Sequence, residues 1–423
     1  MSVAIDMLPA AHGDCLWIEW RSDDEPETTR RMLIDGGPAH TYPRLLERIA
    51  ALAPDDRRFE LLIVTHIDAD HIDGIVRLLR DVEQLGVVFG QVWFNGREQL
   101  DNLPDRPGDA LGAVSGEYLQ ILLHDLEDRV GDVWNVGFDR GIVYCDPTTG
   151  RFPKVQFPGG LTLTVVSPDI DRLHELDEEW EAELKRLKVD VGRPDELRAR
   201  LDRDRRLKPL ADELGGPAPA MAGDDLSDLD DLDDLDGAGR GEDVGDRFRF
   251  DELPPAPGVE LEVPLPDELG GGEPGEDKPF GSDDSPANGS SIAVLAEWDD
   301  GTTALLTGDA FAGVLQTSIE HLVGPGKRLA LDVFKVPHHG SVSNVTEELL
   351  GVLKSRAYMI STSGVVFGHP HRRAVELIAE QHGRGKPRFV FDYRSPTTEG
   401  YASEVIAGRK CIVSYPEGNG LSF

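Results

Sequence analysis

The sequence contains little cysteine. Only Cys15, Cys145 and Cys411 occur among its 423 residues, far apart and without a C-x-x-C pair. An odd number of distant cysteines makes no disulfide framework, and their spacing does not fit a cysteine zinc site. No Walker-type loop, Gly-x-Ser-x-Gly elbow or catalytic-cysteine context occurs either, which disfavours the enzyme classes that these motifs mark. The three distant cysteines indicate that the protein belongs to a reducing compartment.

Basic residues are also scarce. The chain has 43 Lys and Arg against 79 Asp and Glu, a formal net charge of −36, so strong general affinity for nucleic acid is not expected. No apolar run approaches the roughly 20 residues that span a bilayer, and the first residues lack the basic region of a secretion signal. The sequence predicts a soluble, cytoplasmic protein without a membrane partner.

The acidic charge is concentrated in one segment. Residues 212–284 hold 24 acidic and 4 basic residues, including an Asp-rich run at 224–236 with Leu at every third position. Such a composition buries too little apolar surface to offset the entropy lost on ordering, so we expect it to be largely disordered. Just before it, the helical spacing of Leu176, Trp180 and Leu184 among charged residues predicts one or two exposed helices.

These features divide the chain into three parts. Residues 1–168 and 286–423 alternate β-rich and helical runs and form the two halves of one α/β core. Residues 169–285 form a charged helical and acidic disordered insertion between them. Strands are predicted, among other places, at 31–34, 61–65, 303–307, 333–336 and 357–361. Helices are predicted at 72–82 and 373–382, among others.

The most informative stretch is Leu61-Leu-Ile-Val-Thr-His-Ile-Asp-Ala-Asp-His-Ile-Asp-Gly74. An apolar strand ends at Thr65, and four ligand-type residues follow on a predicted turn before a helix: His66, Asp68, Asp70 and His71. Side chains of these types at a strand end can converge on cations. A single Asp here is usually a helix cap, but capping does not explain four such residues at once.

Three later clusters also follow apolar β-like runs. They contain Asp309, the pair His338 and His339, and the Gly-His-Pro-His sequence that ends at His371. Asp35 follows another predicted strand. Because α/β sheets place their chemistry at strand ends, the clusters together favour metal coordination, although each residue alone would more often be an ordinary loop residue.

This series of motifs resembles the metallo-β-lactamase fold superfamily, and within it the hydrolase domain of the DNA-uptake competence protein ComEC and its soluble relatives. The matching elements run in family order across about 300 residues: Gly13-Asp14, Ile34-Asp-Gly-Gly37, the motif at 65–74, Ser167-Pro168, Leu306-Thr-Gly-Asp309, Pro337-His-His-Gly-Ser341 and Gly368-His-Pro370. The resemblance implies a four-layer αββα sandwich with a binuclear metal site at one edge.

The resemblance also implies a role for each matching residue. One metal would be held by His66 and Asp68, the other by Asp70 and His71, with Asp309 as the bridging carboxylate and His369 as the last histidine ligand. Asp35 would orient a ligand. Asp70, His338 and His339 are the predicted catalytic residues, and one histidine of the pair would donate a proton to the leaving group.

The sequence departs from the superfamily pattern in two places. Asp68 stands where a histidine is common, and a further histidine ligand between the metal motif and Asp309 has no clear counterpart; neither His124 nor His174 is expected to replace it. A carboxylate in place of imidazole raises the oxygen character of the site. We therefore expect two divalent cations, zinc or manganese, with magnesium or iron as alternatives.

The predicted reaction is hydrolysis by a hydroxide that bridges the two cations. The motif series favours a phosphodiester substrate, either nucleic acid or a nucleotide, although the fold also hosts reactions on other small molecules. Lys335, Ser341 and Arg372 are predicted phosphate contacts, with Arg373 close by, although exposed basic residues are usually solubilising charges.

Two other functions stay open. The chain could be a partner-dependent effector or adaptor subunit of a multi-protein system, with the insertion as its docking element, because acidic, Leu-containing segments can fold on binding. It could also be a non-catalytic metal-binding relative. Size-exclusion chromatography with mass determination, and a pull-down with residues 170–285, test for a partner-dependent subunit. Metal analysis with a phosphodiesterase assay distinguishes an enzyme from a non-catalytic metal-binding protein.

Overall fold

The computed structural model describes residues 1–103, 114–186, 194–207, 283–365, 367–415 and 421–422. The predicted disorder of the acidic segment falls almost wholly outside these residues. Within the described part, no helix is long and apolar enough to cross a membrane.

The described residues form a mixed α/β structure, as predicted. Its strands are β1 (Ser2–Met7), β2 (Leu16–Arg21), β3 (Arg30–Ile34), β4 (Arg58–Phe59), β5 (Leu61–Ile63), β6 (Val88–Phe89), β7 (Val92–Trp93), β8 (Lys154–Phe157), β9 (Leu161–Ser167), β10 (Ala293–Trp298), β11 (Thr303–Leu306), β12 (Leu329–Lys335), β13 (Leu353–Ile360), β14 (Arg388–Phe391), β15 (Val405–Ile406), β16 (Arg409–Lys410), β17 (Ile412–Ser414) and β18 (Leu421–Ser422). Its helices are α1 (Tyr42–Ala50), α2 (Ala69–Leu85), α3 (Arg97–Leu100), α4 (Val114–Val130), α5 (Ile170–Arg186), α6 (Pro194–Arg203), α7 (Pro286–Gly289), α8 (Ala312–Val323), α9 (Glu347–Val352), α10 (Arg372–Gln381) and α11 (Pro396–Ser403).

Two large sheets contain most of the strands. One has six strands in the order β18-β1-β2-β3-β5-β7, and the other has eight in the order β17-β14-β13-β12-β11-β10-β9-β8. Strands β3, β5 and β7 pair in parallel, as do β11, β12, β13 and β14. Because neighbouring parallel strands end at the same edge of a sheet, the loops after them lie together.

The side chains of the strands alternate between different hydrophobic clusters. Trp17 packs with the helices that cover the six-stranded sheet, whereas Ile18 belongs to a cluster with residues of both sheets. This alternation follows from the two-residue period of a strand. On the eight-stranded sheet, Phe334 and Tyr358 pack with α8, α9 and α10, whereas Val333 faces the shared cluster. Each large sheet therefore contributes apolar side chains to two clusters.

The first two helices of the charged segment pack against the core. Trp180 of α5 is fully buried, and its indole nitrogen donates to Glu117 of α4 at 3.1 Å. A Cβ atom on Gly116 would lie 2.5 Å from the Trp180 ring, so α4 can approach it closely only with glycine there. In α6, Leu197 and Leu201 join the same cluster. The apolar stripe predicted from sequence is thus a packing face.

Loops of the two large sheets are joined beside the candidate site. The Ile292 N–H, before β10, donates to the Thr65 carbonyl at 2.9 Å. The Ser361 hydroxyl, after β13, donates to the Gly13 carbonyl at 2.7 Å. Helix α2 begins at Ala69, three residues before its predicted start, which places Asp70 and His71 in its first turn rather than on the loop.

Candidate metal centre

His66 and His71 lie at the junction of β5 and α2. His66 follows the strand, His71 lies in the first turn of the helix, and both side chains are fully buried. Their ring centroids are 4.2 Å apart. The short strand-to-helix connection thus places two imidazoles side by side.

Asp35 holds this junction from the end of β3. Its buried carboxylate accepts hydrogen bonds from the Thr65 N–H at 2.7 Å and the Thr65 hydroxyl at 2.7 Å, and it lies 2.9 Å from His71 Nδ1. A carboxylate accepts only, so Nδ1 of His71 carries a proton. Nε2 of the neutral ring is then left with its lone pair free. This placement matches the ligand-orienting role that the sequence predicts for Asp35.

The tautomer of His66 follows from the same carboxylate. The Thr65 hydroxyl uses its hydrogen on Asp35, so it can only accept from His66 Nδ1, which lies 2.9 Å away. His66 Nδ1 is therefore also protonated, and Nε2 holds the free lone pair. One carboxylate thereby gives both imidazoles the form that binds a cation.

Asp309 and His339 reach the same place from the eight-stranded sheet. Asp309 follows β11, and one oxygen, Oδ2, lies 3.5 Å from Nε2 of His71 and 3.5 Å from Nε2 of His339. His339 follows β12, and its Nδ1 donates to the Ser361 carbonyl at 2.8 Å, which again leaves Nε2 unprotonated in the neutral ring. Asp309 thus lies between histidines contributed by the two sheets.

The donor atoms of this centre fit a cation. The Nε2 atoms of His66, His71 and His339 and the Oδ1 atom of Asp309 are buried and have no hydrogen-bond partner among the described residues. Buried polar atoms are normally satisfied, and converging imidazole and carboxylate lone pairs are what a divalent metal requires. Ligand atoms lie within 4.8 Å of one another in each of four groups, which are His66-His71-Asp309, Asp70-His71-His339, Asp14-Asp309-His339 and Asp14-Asp35-His71.

The charges of the centre are strongly coupled. Burial alone would lower the pKa of His71 and of His339, but the surrounding carboxylates together outweigh it, Asp309 contributing most. They raise the pKa of His71 well above its usual value and that of His339 to about 10. Burial alone would raise the pKa of Asp309, and the surrounding histidines instead hold it well below its usual value. Without a cation, protons on the rings therefore balance the buried carboxylates.

Asp70 and Asp68 lie at the more open side of the centre. Asp70 Oδ2 is 3.9 Å from His71 Nε2 and 3.8 Å from His339 Nε2. Asp68 Oδ2 is 3.5 Å from His66 Nε2, but its side chain is 42% exposed. Asp70 therefore belongs to one of the close groups, whereas Asp68 belongs to none among the described residues.

The grouping of His339 and His369 differs from the roles that the resemblance implies for them. His339, predicted beside the substrate, lies among the candidate ligands, whereas His369, predicted as a ligand, belongs to no close group of the described residues. The His369 ring lies 5.5 Å from that of His338 and 6.3 Å from that of His339. Burial, with a smaller contribution from the neighbouring imidazoles, lowers the pKa of His369 to about 3, so this ring is neutral.

Lys335 does not lie where a phosphate contact was predicted. It is the last residue of β12, its side chain is fully buried, and its ammonium lies 2.5 Å from Asp14 Oδ2. Asp14 also lies 3.4 Å from His339 Nδ1. Burial alone would raise the pKa of Asp14, but Lys335, His339 and His71 together outweigh it and hold the pKa below its usual range. Lys335 thus neutralises a carboxylate behind the centre.

The other predicted phosphate contacts differ in exposure. Ser341 is buried after His339. Arg372 is more than half exposed and pairs with Glu376 at 3.1 Å and Glu404 at 2.8 Å. Arg373 pairs with Glu380 at 2.9 Å. These acidic partners offset the charge that the arginines would offer to an anion.

The structure also shows site residues that sequence reasoning did not select. Asp14 was noted only as part of a motif, and its approach to His339 depends on a contact between distant segments. His12 lies beside the centre, and its Nδ1 is buried without a hydrogen-bond partner among the described residues. Asp283 and Asn344 contact His338. His124 instead pairs with Glu98 at 2.7 Å, and His174 belongs to no close group of the described ligands.

Comparison with models of known protein families finds no match, and no curated protein is significantly similar in sequence. The geometry of the centre is therefore the main basis for assigning a function.

Proposed function

We propose that this chain is a metal-dependent hydrolase with a binuclear site that cleaves phosphodiesters. The observation that carries the proposal is the convergence of three buried imidazole Nε2 atoms and one Asp309 oxygen, all without hydrogen-bond partners among the described residues. Leaving such atoms unpaired costs free energy that a bound cation recovers.

The ligand chemistry supports two divalent cations. His66, His71 and His339 would supply imidazole nitrogen, while Asp309 and Asp70 would supply oxygen. Asp68, outside the close groups, has an oxygen 3.5 Å from His66 Nε2. This mixture suits zinc or manganese, with magnesium or iron as alternatives. Asp309 would be the bridging residue, because its Oδ2 lies 3.5 Å from both His71 and His339, which come from different sheets.

The fold that we propose is the αββα sandwich of the metallo-β-lactamase superfamily. Three features support it: one hydrophobic cluster contains residues of both large sheets, a second joins the six-stranded sheet to α2 and α4, and a third joins the eight-stranded sheet to α8, α9 and α10. Candidate ligands come from the ends of β5, β11 and β12, which is where such a sandwich places its site.

The residues of the chain perform three tasks in the proposed reaction. Asp35 and Thr65 keep the histidine lone pairs directed at the centre. Asp309 and Asp70 supply negative charge that holds cations together. When bound, the two cations lower the pKa of water and stabilise charge on the phosphoryl oxygens. His338, with Nε2 3.9 Å from Asp309 Oδ2, lies beside this centre. In its imidazolium form it would give the Nε2 proton to the leaving group and become a neutral ring.

The charge of the chain restricts the substrate. The excess of acidic residues, and the pairing of Arg372 and Arg373 with glutamates, disfavour tight binding of long duplexes. Short oligonucleotides, nucleotides and other small phosphodiesters fit better, because the cations themselves supply the attraction for the reacting phosphate.

A metal-by-substrate screen tests the proposal. The metal-stripped full-length chain is reloaded with zinc, manganese, magnesium or iron and assayed on bis(4-nitrophenyl) phosphate, a dinucleoside phosphate, a phosphomonoester and a β-lactam. We expect hydrolysis of the diesters that depends on the metal and is lost on chelation. Binding of metal without hydrolysis of any diester would contradict the proposed activity and leave only a metal-binding protein.

A further inference from the structure

His338 has two hydrogen-bond partners at Nδ1, the ring nitrogen that points away from Asp309. Its Nδ1 lies 3.1 Å from Asp283 Oδ2 and 3.0 Å from Asn344 Oδ1. The Asn344 amide nitrogen donates to Asp283 Oδ2 at 2.9 Å and to the Asp309 carbonyl at 3.1 Å, which identifies its oxygen as the atom near His338. Nδ1 therefore faces two acceptors and carries a proton, while Nε2 faces the centre.

Asp283 is itself held in one orientation. Its Oδ2 also accepts from Asn288 Nδ2 at 2.9 Å, and its Oδ1 accepts from the Ser285 N–H at 3.1 Å. The side chain is only 9% exposed. A carboxylate with this many donors cannot turn away from the imidazole without leaving buried polar groups unpaired.

We propose that Asp283 is a positioning residue for His338, holding Nδ1–H so that Nε2 faces the centre. The imidazolium form of the ring gives its Nε2 proton to the leaving group and is left neutral, with its remaining proton on Nδ1. The inference rests on the proposed function, in which His338 gives a proton to the leaving group. A carboxylate on one ring nitrogen orients the other toward the reaction, as in other histidine–carboxylate pairs. Sequence patterns do not single out Asp283, because it is one of 24 acidic residues in the segment 212–284.

The test compares two diesters that differ in their need for a proton. A dinucleoside phosphate has an alkoxide leaving group that must be protonated, whereas bis(4-nitrophenyl) phosphate has a leaving group that needs none. We expect Asp283→Asn to lower kcat on the dinucleoside phosphate by about 100-fold. The loss of kcat on the nitrophenyl ester should be about 10-fold or smaller. Asp284→Asn is the matched control, since Asp284 is the exposed neighbour, and it should leave both rates unchanged.

A double variant shows whether Asp283 acts through His338. Adding Asp283→Asn to His338→Ala should lower the rate no further than His338→Ala alone, because groups that act as a unit are not additive. Additive losses, or an equal loss on both diesters, would make Asp283 a merely structural residue and overturn the inference.

Nitrogen NMR of labelled histidines provides a measurement that needs no activity. The His338 signals are assigned by their loss in His338→Ala and recorded at a pH at which the ring is neutral. They should then show the proton on Nδ1 in the wild type and a larger share of it on Nε2 in Asp283→Asn. Unchanged signals would overturn the positioning role. If the wild type hydrolyses neither diester, the proposed function fails, while the NMR comparison still decides the role of Asp283.

Discussion

Asp35 affects two histidines through a single carboxylate. One of its oxygens accepts from the Thr65 hydroxyl and faces His71 Nδ1, and Thr65 passes the constraint to His66. Both rings therefore direct Nε2 at Asp309 and its neighbours. At the scale of the residue, hydrogen bonds behind the candidate ligands orient them in a way that is compatible with a cation.

The raised pKa values of His71 and His339 predict that metal binding depends on pH. In the metal-free protein the surrounding carboxylates, chiefly Asp309, keep these rings protonated at neutral pH, so a cation must displace protons. We expect the affinity for zinc or manganese to rise between pH 6 and pH 9, as measured by calorimetry in buffers of different ionisation enthalpy. Proton release on binding should accompany the change, and a pH-independent affinity with no proton release would contradict the assignment.

The same groups predict the pH dependence of stability without metal. A folded-state pKa of about 10 against the ordinary 6.5 means that protonated His339 stabilises the fold fully below pH 6.5, and that this contribution is lost as the pH rises toward 10. The metal-stripped chain should thus lose thermal stability between pH 7 and pH 9.5. His339→Gln should flatten that dependence, whereas an equal slope in the variant would exclude His339 as its source.

At the scale of the element, the backbone of helix α2 makes close contact with the loop that carries Asp35. The Gly36 N–H donates to the His71 carbonyl and the Gly74 N–H to the Gly37 carbonyl, both at 2.9 Å. A Cβ atom on Gly74 would lie 2.1 Å from the Gly36 carbonyl oxygen, a backbone atom that cannot move aside alone. Glycine at this position allows the helix to bring His71 to Asp35.

We therefore expect Gly74→Ala to separate α2 from the Asp35 loop. Forcing an atom into this contact should cost about 1–3 kcal/mol of unfolding free energy and weaken metal binding, as measured by denaturant unfolding and metal titration. Gly351→Ala is the control, because Gly351 lies in helix α9 with open space around it. A wild-type stability and metal affinity in Gly74→Ala would show that the close approach is not required.

Local patterns were sufficient to predict the elements around the centre. The apolar runs at 61–65 and 333–336 correctly predicted strands, because strand-forming residues and the change to polar residues are local signals. The start of α2 was placed three residues late, since Asp68 precedes the helix without a side-chain capping bond that the sequence could reveal. Helix and strand boundaries depend on such contacts and are harder to read.

The positions of His339 and His369 required knowledge of sheet order. Strand β12 lies directly beside β11, so residues after β12 meet Asp309, which follows β11. His369 lies farther along the loop after β13, a strand removed from β11. Likewise, the buried partner of Lys335 is Asp14, at the other end of the chain. Tertiary packing determines such contacts between distant segments, and local sequence patterns do not predict them.

At the scale of the whole molecule, the acidic segment and the centre meet at Asp283. Replacing residues 212–280 by a Gly/Ser linker should leave the melting temperature within about 2 °C, because an acidic segment poor in apolar residues contributes few packed contacts. Differential scanning calorimetry checks this. A large loss of stability would show that the segment packs on the core.

A longer deletion separates stability from turnover. Extending it to residue 284 removes Asp283 and its bond to His338, so the rate on a dinucleoside phosphate should fall although the shorter deletion retains it. Equal turnover by both deletion variants would show that Asp283 does not contribute.

Metal content is the most direct test of the account. Elemental analysis of the purified full-length chain, with calorimetric titration of the stripped chain by zinc and manganese, should give about two cations per chain. Asp309→Asn keeps the shape of the bridging residue but removes its charge, so at least one cation should be lost while the fold persists; Asp128→Asn, an exposed carboxylate on α4, should retain both. A wild-type chain that binds no divalent cation, or an Asp309→Asn chain that binds them as tightly as the wild type, would contradict the metal centre.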